Sequence, residues 1–418
     1  MKRLFCLALI LVSVMSYGQY LWDLNRMANY RTNPNERVQA AINGIIRDAD
    51  KKMTDAIPVV TDKQRVAPSG DKHDYFSMAR YWWPNPKTAD GMPYIRQDGK
   101  RNPETQGLDR ETLSAMEKML TIYSLAYFYT GKEMYAERGW EILRAWFINK
   151  RTKMNPSMRY SQVRMGHNNN EGSNSGLLDG YSFLIVPDAV TILSQSKFAK
   201  EKDIAAIKDW FAQYLNWMLE SKQGKKEDIA ANNHGTAYHI QVAVYALFVG
   251  NKEVANQYIS SFVERRIMPQ IEQDGRQPKE LVRTRAYGYS CYNLKHLFDM
   301  IDICRLQGID LLADEQVAQR MVAAVDYLTP YLGRPVSAWP FQQIADWEKE
   351  QQNACWLLYR ADVYFPAKGY ISLYNAHTKA KSLLRQLCFR TVYFAERGGF
   401  ENCEAIIDRA KRRRKCLQ

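Results

Sequence analysis

From residue 31 onward, apolar positions recur every three or four residues in one segment after another: 31–56, 111–130, 133–150, 180–196, 199–221, 234–250, 252–270, 285–307, 315–331 and 345–360. That spacing gathers the apolar side chains on one stripe of a helix, while the two-residue alternation of a half-buried strand is almost absent. The pattern predicts an all-α chain. Three breaks carry helix-stop chemistry: Thr130-Gly131-Lys132, Val249-Gly250-Asn251 and Gln307-Gly308 each place a glycine directly after a periodic run. Successive helices should therefore pair as hairpins of roughly 40–50 residues. No repeated consensus marks a binding solenoid, which favours a ring of hairpins, an incomplete (α/α) toroid. Two stretches, about 61–108 and 151–176, break the rhythm with Pro, Gly, Asn, Trp and Tyr. Loops this long inside a compact domain are more often functional than idle.

The N-terminus changes the picture of where the chain works. Met-Lys-Arg, an apolar run from Leu4 to Val14 and a small-residue exit read as a secretory signal cleaved near Gly18–Gln19. The expected organisation is a signal peptide over 1–18, one toroid over 19–365 and a C-terminal helical extension over 366–418, in a periplasmic or secreted protein. The apolar run is too short for a transmembrane helix, and stable membrane insertion is not expected. The chain carries 58 Lys and Arg against 45 Asp and Glu, with five of the cations at Lys411, Arg412, Arg413, Arg414 and Lys415. Such an excess favours an acidic partner. Nucleic acid is not expected, because the cations are not woven into a recognition motif and the chain is exported. Beyond the signal, Cys291, Cys304, Cys355, Cys388, Cys403 and Cys416 form no CxxC pair, so they indicate neither a zinc site nor a redox motif. One or two disulfides or buried free thiols both fit.

Three elements carry candidate chemistry. The first loop contains His73-Asp74-Tyr75 and, further on, Tyr81-Trp82-Trp83-Pro84. Aromatic rings in a polar loop can stack on the CH-rich face of a pyranose, although each tryptophan could equally anchor the loop to the helices. The second element, Asn232-Asn233-His234, precedes an apolar run and has N-cap chemistry, which would aim amide and imidazole groups and the helix dipole at an anion. His234, Tyr238, Gln241 and Tyr245 follow on one face, with His239 beside them. No acid lies between His234 and His239 as a zinc site would need, so no metal and no cofactor are expected. In the third element, Arg283 and Arg285 open a helix on which Arg285, Tyr289, Tyr292 and His296 share a stripe. A phenol beside a guanidinium should have its pKa lowered toward the working range. An Arg–Tyr stack sealing a helix pair is the structural alternative.

Together these motifs, in this order, resemble the alginate lyase family of helical-toroid polysaccharide lyases over about residues 60–360. The resemblance implies β-elimination of a uronate chain, with Asn233, His234 and Arg285 neutralising the substrate carboxylate and Tyr292 as catalytic base and acid. Trp82, Trp83, Tyr75, His73, Tyr238, His239, Tyr289, Arg283 and Asn169 are the expected substrate-binding residues. The Asn168-Asn169-Asn170-Glu171 run looks closer to relatives that include glucuronan lyases. The chemistry agrees, because the C5 proton of a uronate becomes removable only when its carboxylate is neutralised. Three readings compete with an alginate lyase: a glucuronan lyase on the same scaffold, an inverting glycoside hydrolase using acids such as Asp74, Glu171 and Asp179, and a noncatalytic binder of acidic polysaccharide. The expected partner is an acidic polysaccharide in every case.

Overall fold

The computed structural model describes residues 18–378. The expected signal segment, the basic tail and Cys388, Cys403 and Cys416 lie outside the described residues. The helices run α1 (Leu24–Thr32), α2 (Glu36–Lys51), α3 (Asp109–Thr130), α4 (Glu133–Phe147), α5 (Val186–Leu193), α6 (Glu201–Glu220), α7 (Lys222–Asp228) and α8 (Asn233–Val249). They continue with α9 (Lys252–Ser260), α10 (Met268–Gln270), α11 (Pro278–Leu281), α12 (Ala286–Leu306), α13 (Glu315–Leu328), α14 (Trp347–Tyr364) and α15 (Tyr370–His377). The chain is all-α, as the periodicity predicts.

The helices form two layers. α3, the 3₁₀ segment Asn174–Ile185 leading into α5, α8, α12 and α14 follow one another along the inner layer of an incomplete toroid. α2 and α4 back α3, α6 and α9 back α8, and α13 and α15 back α14. An inner helix meets protein on every side, and 14 of the 17 residues of α8 are accordingly buried. The run Asn168–Leu193 is apolar enough to cross a membrane by composition, yet 78% of its most apolar window is buried inside this body. α15 belongs to the same core, with Tyr370 and Tyr374 buried.

Local signals explain the boundaries. Gly131 and Gly250 adopt left-handed backbone (φ 67° and 81°) at the ends of α3 and α8, where their N–H groups return to carbonyls of the last turn. The expected single helix over 31–56 is two, because Pro34 interrupts it and Asn35 caps the second through Val38 N at 2.9 Å. The run expected over 252–270 also breaks, into α9, a π-helical turn Val263–Ile267 and α10.

Among the described residues, four short strands escape the periodicity because two to four residues hold too little alternation to see. β1 (Phe76–Met78) pairs in parallel with β4 (Tyr160–Val163), and β2 (Trp82–Trp83) pairs antiparallel with β3 (Ile95–Arg96). The first pairing stitches the two long loops to each other. Phe76, Met78, Tyr94, Leu108, Tyr160 and Val163 give them a small core of their own. At the far side of the ring, α14 is tied to α12 by Arg360, which is buried and donates to Asp299 Oδ1 at 2.7 Å and to Asp302. Cys291, Cys304 and Cys355 are buried free thiols.

Candidate active site

A cleft of about 780 Å³ opens between the stitched loops and the first turns of α8 and α12. Its wall holds nine cationic side chains, Arg80, Arg96, Arg101, Arg110, Arg164, Arg283, Arg285, Lys295 and Lys349, against one carboxylate, Glu350. That carboxylate is already paired with Arg285 at 2.8 Å. The acids available to a hydrolase are elsewhere: Asp74 accepts from Ser69 and Asn155, Glu171 pairs with Arg159, and Asp179 is buried beneath Arg110 at 3.2 Å. An inverting hydrolase needs two acids facing each other across the sugar. Among the described residues lining this cleft, no such pair exists.

The four expected catalytic residues all line the cleft. Asn233 is the first residue of α8, wholly buried, with its backbone N–H donating to Glu280 Oε1 (2.8 Å) and its side-chain amide to Glu280 Oε2 (2.7 Å). Its Oδ1 has no hydrogen-bond partner. Burial pushes the Glu280 carboxyl up against the opposing pull of these Asn233 bonds. The expectation that free backbone N–H groups at this helix start would serve an external anion is corrected here. Glu280 occupies Asn233 N, and Asn232 Oδ1 accepts from His234 N at 3.3 Å.

His234 has a partner that sequence reading missed. Its Nδ1 lies 2.7 Å from Oε1 of Glu227, a carboxylate 1% exposed at the end of α7, whose Oε2 accepts from Asn174 at 2.6 Å. A carboxylate that accepts only fixes the proton on Nδ1 and leaves Nε2 as the nitrogen free to act. A buried acid seven residues before a histidine, across a helix break, gives no periodic signal.

Arg285 precedes α12 as its cap residue, outside the helical stripe, with its Nη2 donating to Asp346 Oδ2 (2.6 Å) and Glu350 Oε1 (2.8 Å). Its Nε remains without a partner. Tyr292 lies two turns on, 36% exposed, with its ring edge-on to His296 at 4.2 Å and no hydrogen bond from its hydroxyl to the described protein. The expected lowering of its pKa by Arg285 is not what the geometry produces. The enclosing walls push the phenol up to about 12, and the cations that pull against this are Arg110 and Arg80. Desolvation outweighs a guanidinium at a distance.

The substrate-binding expectations divide. Trp82, Tyr289 and Arg283 reach the cleft. Tyr289 accepts from Arg283 at 2.9 Å and lies 3.9 Å beneath that guanidinium, the stacking that the structural alternative described. Arg283 also crosses to the first loop and grips Asp98 at 2.9 and 3.3 Å. Burial pushes Asp98 up, but its bonds from Arg283, Arg96 and Thr284 prevail and hold it well below the usual carboxylate range.

The other six expected contacts do not line the cleft. Trp83 faces away from Trp82, as successive strand residues must, and donates to Lys100 O at 3.0 Å. Tyr75 is buried and bonded to Asp179 (3.0 Å), and the His73 ring ties the loops together at Lys153 O (2.6 Å). Tyr238, with Gln241 and Tyr245, spends its polar atoms on carbonyls of Met218, Leu177 and Gly180, so that polar face of α8 is a set of core tethers. His239 is enclosed against Tyr258 and Arg266, and burial lowers its pKa to about 3. Asn169 is exposed in a turn where Asn168, Asn169 and Asn170 all take positive φ (48°, 52°, 57°). Asparagine tolerates that conformation better than most residues, so the run encodes a turn.

Residues 59–339 match the family model described as alginate lyase. The fold is similar to a crystallised alginate lyase from Bacteroides ovatus with a TM-score of 0.84 and 40% identity, covering 89% of this chain and all of that one. Alginate lyase A1-III from Sphingomonas species A1 has the same fold at 16% identity and a TM-score of 0.55, covering 84% of this chain and 89% of that one. A variant of that enzyme complexed with a tetrasaccharide aligns at 14% identity with a TM-score of 0.52, over 83% of this chain and 87% of that one. No curated protein matches the chain.

Proposed function

The chain belongs to the alginate lyase family, and from that premise we propose that this polysaccharide lyase cleaves a 1,4-linked polyuronate, alginate first, by β-elimination in the cationic cleft. The observation that carries the reading is a solvent-reached phenol with an uncommitted hydroxyl, set in a cleft whose wall is almost wholly cationic.

Each residue then has a task. The second amide hydrogen of Asn233 and the unpartnered Nε–H of Arg285 bear on the carboxylate of the reacting uronate, and His234 adds its Nε2–H in the imidazolium form that the Glu227 carboxylate balances. Neutralising that charge makes C5–H acidic, because the electron pair left on C5 can delocalise into the carboxyl group. Tyr292 removes the proton as phenolate, the C4–O bond breaks, and the same phenol returns the proton to the departing oxygen. One chain end gains a 4,5-double bond and no water is consumed. When C5–H and the leaving oxygen lie on opposite faces of the ring, neutral His234 takes the proton at the Nε2 that Glu227 leaves available, and Tyr292, as phenol, gives its proton to the departing oxygen. Arg110 and Arg80 favour the phenolate, and Asp179 holds Arg110 in place. Export with removal of residues 1–18 belongs to the same reading, and N-terminal sequencing of the purified protein tests it.

The test is absorbance of the conjugated unsaturated uronate during incubation with mannuronate, guluronate and glucuronate polymers. A rise on alginate blocks is the expected result. A rise on glucuronan alone changes the substrate, new reducing ends without absorbance indicate a hydrolase, and retention without turnover indicates a binder.

A further inference from the structure

Arg164 has no part in the chemistry above, yet the fold holds it in the cleft. It follows β4 directly, is half-buried, and among the described residues has no carboxylate within ion-pair distance and no hydrogen-bond partner for its Nε. Its guanidinium lies over the ring of Trp82 at 4.8 Å. Trp82 is itself immobilised: its edge meets His167 at 4.9 Å, its carbonyl accepts from Asn102 at 2.9 Å, and its strand partner is Arg96. One face of the tryptophan expected to stack on sugar is thus covered by an arginine.

A half-buried guanidinium without an ion-pair partner is unfavourable, and Arg96 adds like charge that outweighs the more distant Glu227. An anion from outside removes that penalty, and the planar fork of arginine matches a carboxylate through two parallel hydrogen bonds. The neighbours of Arg164 also say which carboxylate. Arg164 stands directly after β4 over Trp82, whereas Tyr292 stands on α12 against His296, so the guanidinium and the phenol are presented to the cleft from different walls with no contact between them.

We propose that Arg164, seated on Trp82, binds the carboxylate of the uronate unit next to the one undergoing elimination, forming a second acid-recognition site. The identity of this ligand rests on the polyuronate lyase reading. The experiment measures binding separately from turnover, so failure of one is distinguishable from failure of the other. In a Tyr292→Phe background, affinity is measured by calorimetry for an alginate oligosaccharide and for its methyl ester, with and without Arg164→Gln. Losing a hydrogen-bonded charge should weaken the acid form by about tenfold to a hundredfold and leave the ester nearly unchanged. Trp82→Ala should produce a loss of the same kind, and adding it to Arg164→Gln should cost little more. In the otherwise unmodified enzyme, Arg164→Gln should raise KM by a similar factor with kcat little altered.

Equal affinity of wild-type and Arg164→Gln proteins for the acid form overturns the proposal. Equal losses on acid and ester overturn it too, because Arg164 would then act by packing. A fall in kcat at unchanged KM places Arg164 on the reacting ring and also overturns it. If the oligosaccharide binds but no unsaturated product ever forms, the lyase reading fails while the acid-against-ester comparison still decides the role of Arg164.

Discussion

Replacing Tyr292 with phenylalanine removes one oxygen and little else. The ring keeps its edge contact with His296 at 4.2 Å, and the hydroxyl has no hydrogen bond within the described protein to lose, so the melting temperature should be unchanged. A positioned acid or base contributes about 10²–10⁴-fold, and here one hydroxyl serves in both steps, so kcat should fall by about 10⁴ with polymer affinity retained. The pH dependence supplies a second reading. With the phenol pushed above its ordinary range in the free enzyme, phenolate is the minor form throughout the neutral and mildly alkaline range. Because the active form is the deprotonated one, kcat/KM should climb about tenfold per pH unit through the neutral and mildly alkaline range. Arg110→Gln removes a cation that opposes this shift, so the phenol should rise further and the rate at any one pH should fall. The assay is initial rate of unsaturated-uronate absorbance across pH, beside thermal melts of each variant. A phenylalanine variant retaining more than about a tenth of kcat, or a wild-type profile flat over that range, would refute proton transfer by Tyr292.

Three further outcomes are expected. Asn233→Ala should lower kcat by about 10²–10³ with a small change in KM, since a preorganised donor acts mainly as charge develops; a raised KM with unchanged kcat would show that Asn233 only holds the chain. Glu227→Gln keeps the shape of the side chain but removes the charge that accepts from His234 and Asn174, and should reduce kcat about tenfold to a hundredfold without a matching loss in melting temperature; unchanged kinetics would mean that His234 needs no such orientation. Arg360→Met removes the cation that Asp299 and Asp302 share, leaving Asp299 to Lys295 and Asp302 to the Tyr364 hydroxyl, and should cost up to about 3–5 kcal/mol in denaturant unfolding; a cost near zero would show that these remaining partners compensate both carboxylates.

The helices were legible in the sequence because each one's packing is written in its own residues. The apolar stripe of α4 or α13 and the glycines ending α3 and α8 act within a turn or two, and periodicity detects that range. That Asn233, His234, Arg285 and Tyr292 meet in one cleft was legible for a related reason, because Asn233 and His234 are adjacent and Arg285 and Tyr292 lie at the start of one helix. What the sequence could not convey depends on contacts between distant segments. Glu227 meets His234 across a helix break, Asp98 meets Arg283 across 185 residues, and Arg110 bears on Tyr292 from a different helix. The polar face Tyr238–Gln241–Tyr245 looked like a ligand surface, and only the position of α8 in the inner layer made it a set of core tethers. The direction of the Tyr292 shift was decided in the same way. A sequence shows which charges exist, whereas a pKa depends on how much protein surrounds the group and how far away those charges stand, and both are properties of the assembled walls.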